Sequence, residues 1–243
     1  DMRRLVPARH ASEDELLLAH APEFVDAVKR ASSGEASLPL LQAFGLGSQD
    51  VPVVAGMHAS AAHVAGATLR AAELVMSGEV TRAWSIAGGL HHARRAEASG
   101  FCVYNDLAIA IRWLQRVHNA HVMYIDVDAH HGDGVQWIFY DDPDVLTVSF
   151  HESGAFLYPG TGFIDEMGDG DGYGYSVNVP FDPHTDDPSF VHAVAELVPA
   201  LAESFQPDVI VFQAGCDAHL LDPLTHLRCS TRIYEDITRI VGE

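Results

Sequence analysis

His121-Val122-Met123-Tyr124-Ile125-Asp126-Val127-Asp128 sets the architecture of this chain. The run is apolar and β-branched until it meets two carboxylates, the pattern of a buried strand emerging at the end of a sheet. Residues two apart on a strand share a face, so Asp126 and Asp128 project together where the strand runs out. Ala129-His130-His131-Gly132-Asp133-Gly134 follow, placing His130 just beyond the carboxylates and a further carboxylate, Asp133, behind it.

On both sides of this segment the pattern alternates between helix and strand. That predicts an α/β fold, an open parallel sheet flanked by helices. At 243 residues the chain is most simply one domain over residues 1–243. Further strands are predicted at Ala83–Ala87, running into Gly88-Gly89 and His91-His92, and at Val145–Phe150, Ser176–Val179 and Asp208–Ala214. Ser12 and Glu15 form a capping box that starts a helix from Glu13 toward Arg30. Residues 31–54, rich in Ser, Gly and Pro, read as a long loop. A second helix spans Met57–Ser77, burying Met57, Ala61, Val64, Leu69, Ala72, Val75 and Met76 and stopping at Gly78. Asn105 caps a third helix through Val117; Ser189–Phe205 and Thr231–Val241 are also helical.

Composition narrows the function. Lys+Arg number 14 against Asp+Glu 34, a net charge of −20. Such a field opposes nucleic-acid binding and draws cationic partners, lysine-rich peptides and polyamines among them. No apolar run reaches membrane-spanning length and no signal-peptide pattern opens the sequence, so the expected compartment is the cytoplasm. Cys102, Cys216 and Cys229 lack any CxxC pair and read as small buried thiols. The sequence does not determine an oligomeric state.

Open α/β sheets bind ligands at the carboxyl ends of their strands. Asp126, Asp128 and His130 lie at one such end, Asp217 just past another, and His91-His92 past a third. Two carboxylates and one imidazole would leave a zinc-like ion an open position for water and substrate. A neighbouring His can carry the proton, and surplus carboxylates such as Asp126 and Asp133 can set its tautomer. Taken alone, Asp-x-Asp at a strand end also suits magnesium, calcium or a solvated turn. His131 reads as a structural hydrogen-bonding residue.

The ordered set of motifs resembles the zinc-dependent histone deacetylase family. It comprises Gly88-Gly89-Leu90-His91-His92-Ala93, Glu97-Ala98-Ser99-Gly100-Phe101-Cys102, Asp126 to Gly134, Pro159-Gly160-Thr161-Gly162 and Gly215-Cys216-Asp217-Ala218-His219. The Gly-Gly-x-His-His form and the segment Asp217 to Leu227 look most like the bacterial acetoin-utilisation deacetylases, on the class I side of the family. The resemblance implies the arginase–deacetylase fold and hydrolysis of the acetyl amide of acetylated lysine side chains in proteins. It implies zinc, with iron(II) as the alternative, on Asp128, His130 and Asp217. It implies His92 with Asp133 as main general base and acid, and His91 with Asp126 in an assisting role. Phe101 and Tyr158 would line a tunnel, Gly100 would offer its carbonyl to the substrate, and Asp50 would sit on the rim. A structural potassium is implied for Asp126, Asp128, His130, Ser149 and Phe150.

The likeness has departures. Leu90 stands where eukaryotic members carry Trp, Tyr158 where Phe is common, and Ala96 where Asp is frequent; none touches the metal. Family members also carry an oxyanion-binding tyrosine in a glycine-rich segment after the last ligand. Tyr234 sits instead in a helical pattern, which reads as a chain truncated at both ends with the C-terminal part of the fold missing. Without that donor, hydrolysis should be slower by roughly a hundredfold or more. An acetylpolyamine amidohydrolase shares the metal site, and a non-catalytic acetyl-lysine binder would explain the missing tyrosine. A ureohydrolase of the arginase type would need a carboxylate where Gly132 stands.

Overall fold

Ser12 acts as its spacing requires: its hydroxyl accepts from the Glu15 N–H while Glu15 Oε2 accepts from the Ser12 N–H at 2.7 Å. The helix it starts is short. α1 (Glu13–Leu16) ends after one turn, and α2 (Pro22–Ser33) begins anew. The expected continuous helix is interrupted over residues 17–21; Pro22 keeps Ala21 extended, at ψ 142°, and fits the first turn of α2. α2 buries Phe24, Val25, Ala27, Val28 and Ala31 and ends on Gly34, whose φ of 79° is left-handed.

The computed structural model describes residues 4–242. They form two compact units, one up to His118 and one from Asn119. The first unit continues with α3 (Leu38–Ala43), a six-residue helix inside the expected 31–54 loop. α4 (Met57–Met76) then buries Met57, Ala61, Ala65, Gly66 and Leu69, while Val64, Ala72, Val75 and Met76 remain half-buried. α5 (Asp106–His118) starts where Asn105 Oδ1 accepts from the Ala108 N–H at 2.9 Å. Ala83–Ala87 is not a strand. No described strand pairs with it, and Trp84 and Ile86 are 82% and 86% exposed, so alternating large apolar residues had no ladder to join.

The second unit holds the sheet. β1 (Val122–Asp126), β2 (Val145–Glu152), β3 (Ser176–Phe181) and β4 (Val209–Gln213) are all parallel, in the order β3-β2-β1-β4. Every residue of β1 and β2 is buried, as strands in a covered parallel sheet are. Register aligns Asp126 with Ser149 on one side and Gln213 on the other, so β1 and β4 finish level while β2 runs three residues further, to Glu152. β1 stops at Asp126 rather than Asp128, though the Val127 N–H still reaches Gln213 O at 3.2 Å. Between the strands lie α6 (Asp133–Ile138), not expected from the sequence, and α7 (Asp187–Phe205); α8 (Arg232–Gly242) follows β4. Met123, Ile125 and Val127 point alternately into one core with Leu146, Val148, Phe150, Phe190, Val194, Ile233 and Ile237. That core underlies the turn that follows β1. No described helix is long and apolar enough to cross a membrane.

Candidate metal centre

Where β1 ends, its own carboxylates build the turn that follows. Asp126 Oδ1 accepts from the Asp128 N–H at 3.1 Å and Asp128 Oδ1 from the His130 N–H at 2.9 Å. Asp217, from the segment after β4, accepts the Ala129 N–H on Oδ1 at 2.7 Å. The backbone donors released by the strand end are thus satisfied by acids rather than by water. One ligand atom each from Asp128, His130 and Asp217 falls within 4.8 Å of the others, all partly buried. His130 Nδ1 is 2.7 Å from Asp217 Oδ2 and 3.1 Å from Asp128 Oδ1.

Electrostatics at this point call for a cation. Burial works to lower the His130 imidazole, but hydrogen bonds to Asp128 and Asp217, and their charges, outweigh it and hold it at about 10. Burial raises the Asp217 carboxyl, and the charge of Asp128 adds to the rise. Two carboxylates facing a single ring favour the protonated imidazole. A divalent ion would take the place of that proton, and the oxygen and nitrogen donors suit zinc or a comparable first-row metal.

The surrounding residues hold this arrangement. Thr225 Oγ1 donates to Asp217 O at 2.7 Å, and the Tyr234 hydroxyl, on α8, donates to Cys216 O at 2.7 Å. Asp126 is fully buried and accepts the Tyr124 hydroxyl on Oδ2. A Cβ on Gly132 would lie 2.3 Å from that same oxygen, so any side chain there would push the Asp126 carboxylate aside. Asp133 is buried in the first turn of α6. Ser149 stands beside Asp126 across the ladder, with the Phe150 side chain in the core. The Tyr158 ring, 43% exposed, lies 6.5 Å from that of His130. His131 is the hydrogen-bonding residue expected of it: Nδ1 meets Thr161 Oγ1 at 2.8 Å and Nε2 meets Gln136 Oε1 at 3.0 Å. Of the three thiols, Cys102 and Cys229 are buried as expected and Cys216 is exposed, because it sits in the turn leading to Asp217 rather than in the core.

In the first unit, His91 and His92 are both buried, their Nε2 atoms 3.1 Å apart. Gly100 packs directly on His92: a Cβ there would come within 2.4 Å of Cδ2. Phe101 is 66% exposed at a φ of 67°, and Asp50 lies in an exposed turn. The pair is set by residues that the motif alone did not mark. Fully buried Asp106 accepts from the backbone N–H groups of Gly89 and Leu90 and from Thr68 Oγ1. Burial raises its carboxyl, and those donors oppose the rise. Asn105 Nδ2 donates to His91 O at 3.3 Å and Ala93 O at 2.9 Å, its own N–H held by His20 Nε2 at 3.0 Å. His20 Nδ1 donates in turn to Arg94 O at 3.1 Å, which fixes the tautomer.

Burial lowers His20 to about 4. A group depressed on folding stabilises the fold fully above its unfolded pKa of about 6.5 and loses that contribution as pH falls through the folded value. Lowering the pH from 7 to 4 should therefore cost roughly 3 kcal/mol at this one site. His151, lowered to about 3 by burial and then by His131, acts with the same sign. An NMR titration checks this directly: the His20 ring should stay neutral at pH 5, and a midpoint near 6.5 would contradict it.

Comparison with known proteins places this geometry in context. The description "Histone deacetylase domain" matches residues 1–243. Acetoin utilization protein AcuC of Bacillus subtilis (strain 168) is 52% identical over 236 residues, covering 97% of this chain and 61% of that protein. AcuC of Staphylococcus xylosus is 42% identical over 237 residues, covering 98% and 62%. The chain thus spans about three fifths of the length of these curated relatives. Among solved structures, an HDAC homolog from Aquifex aeolicus superposes with a TM-score of 0.94 at 33% identity, covering 99% of this chain and 65% of that one. An HDAC homolog complexed with SAHA gives the same values.

Proposed function

The chain belongs to the histone deacetylase family, and from that premise we propose that it takes part in zinc-dependent hydrolysis of the acetyl amide of N-ε-acetyl-lysine in proteins, releasing acetate. The observation that carries the reading is the convergence of Asp128, His130 and Asp217, with ligand atoms within 4.8 Å of one another. A zinc ion held by them, or iron(II) in its place, supplies Lewis acidity, polarising the scissile carbonyl and acidifying a water molecule. His92 accepts a proton from the attacking water and returns it to the departing lysine amine. His91 steadies the charge that develops, and Asp133 and Asp126 orient the two imidazoles. Phe101 and Tyr158 flank the acyl-lysine side chain, the Gly100 carbonyl receives its amide N–H, and Asp50 holds the substrate backbone. Asp126, Asp128, His130, Ser149 and Phe150 would bind a structural potassium ion.

The net charge of −20 supports lysine-rich protein substrates over nucleic acid. The three free cysteines support a reducing, cytoplasmic setting. The SAHA complex of a homolog 33% identical to this chain supports a binding site shaped for a related ligand here. The test is acetate release from an acetyl-lysine peptide, with zinc content measured on the same sample. Zinc-dependent release is expected. Hydrolysis of acetylspermidine but not of the peptide would move the assignment to a polyamine amidohydrolase, and zinc-loaded protein that binds the peptide without turnover would make it a binder.

A further inference from the structure

Gln213 is the last residue of β4, level with Asp126 and 6% exposed. Both ends of its side-chain amide are committed. Oε1 accepts from the Gly215 N–H at 2.7 Å, which settles the orientation of the amide; Nε2 then donates to Asp128 Oδ2 at 3.0 Å. The other carboxylate oxygen, Asp128 Oδ1, accepts from the His130 N–H at 2.9 Å and lies 3.1 Å from His130 Nδ1. Asp128 is thus gripped on one oxygen by β4 and on the other by its own turn.

Gly215 completes the grip. A Cβ at that position would stand 2.3 Å from Asp128 Oδ2 and 2.8 Å from its Cα, so bare backbone lies against the carboxylate. Two residues further on is Asp217, whose Oδ1 accepts from the Ala129 N–H and whose Oδ2 meets His130 Nδ1. One short segment therefore supplies an amide clamp, a bare backbone and a candidate ligand in turn. A strand-end glutamine serving only to cap the following turn would need its acceptor alone. Here the donor is spent on a candidate ligand.

We propose that Gln213 is the positioning residue of the metal centre: it turns Asp128 so that Oδ1 faces His130 Nδ1, and ties that setting to the segment carrying Asp217. The proposal rests on the reading of Asp128, His130 and Asp217 as a metal site. The chemistry fits the task. A neutral amide donates a hydrogen bond without bringing a positive charge to compete with the cation, as lysine or arginine would. It adds no negative charge beside a carboxylate, as glutamate would. Partners of this kind, one step behind the ligands, commonly tune metal affinity by about 10–100-fold.

The test measures zinc affinity by competition with a chromogenic chelator, together with the visible spectrum of the cobalt(II)-loaded protein, which reports coordination geometry. Gln213→Met keeps the volume and removes both hydrogen bonds; Gln213→Asn keeps the amide but draws it back by one methylene. Both variants should bind zinc about 10–100-fold more weakly and show altered cobalt bands. If Gln213→Met does not fold, Gln213→Asn carries the test. Wild-type affinity with a wild-type cobalt spectrum in the folded variants overturns the role of Gln213 and leaves the metal-site reading standing. Failure of the unsubstituted protein to take up zinc or cobalt overturns that reading, and the positioning role with it.

Discussion

His92→Ala should retain zinc at the unsubstituted stoichiometry while hydrolysis of an acetyl-lysine peptide falls by about 10²–10⁴-fold. The two outcomes separate because His92 is not among the residues whose donor atoms cluster; that set is Asp128, His130 and Asp217. Its ring is buried and packed on the Gly100 backbone, with Nε2 3.1 Å from His91 Nε2. Under the proposed mechanism, removing it takes away the proton acceptor and none of the three candidate ligands. His91→Ala should cost less, since His92 keeps its own proton path. The measurement pairs zinc content with kcat on the same preparation. Substantial turnover by the His92 variant would falsify the assigned role; loss of zinc would show that His92 had been misread as a non-ligand.

Asp128→Ala should abolish stoichiometric zinc and, with it, hydrolysis. Asp128 is the centre of the turn: its carboxylate accepts from the His130 N–H and from Gln213 Nε2, and faces the His130 ring. Alanine deletes a ligand and leaves those donors without their acceptor. Asp128→Asn is the informative companion, because it keeps the acceptor oxygen and the shape but loses the charge. It too should lose zinc, which separates the demand for charge from the demand for packing. In the metal-free alanine variant, Asp217 no longer feels the neighbouring charge that helps raise it, so its carboxyl should titrate closer to the usual carboxylate range. Stoichiometric zinc in Asp128→Ala would show the ligand set to be wrong.

The sheet was legible wherever one residue type dominated a run. The apolar stretch ending in Asp126 and Asp128 appears as a strand with both carboxylates at its end, and the other three strands of the second unit fall where β-branched runs predicted them. Ala83–Ala87 failed because a strand depends on a neighbour as well as on its own residues, and none of the described strands pairs with it. The helix expected from Glu13 stops at Leu16 and resumes at Pro22, a proline that suits a new first turn better than a continued helix. The cluster of Asp128, His130 and Asp217 was legible because its residue types are chemically distinctive and lie just past strand ends. Gln213 and Thr225 beside the acidic cluster, and Asn105 and Asp106 beside the histidine pair, were not read as supporting residues, although Asn105 was correctly read as a cap. Amides, hydroxyls and a solitary acid are common on any surface, and only the distances from Gln213 Nε2 to Asp128 or from Asp106 to Gly89 and Leu90 give them meaning.

β4 is an outer strand among those described, and it runs Val209-Ile210-Val211-Phe212 without a lysine, a proline or a bulge. The segment that delivers Gln213, Gly215 and Asp217 leaves the sheet directly from this strand. A slip of β4 against β1 would therefore displace the amide clamp and the second carboxylate together, which makes the register of one five-residue strand the gauge of the whole cluster.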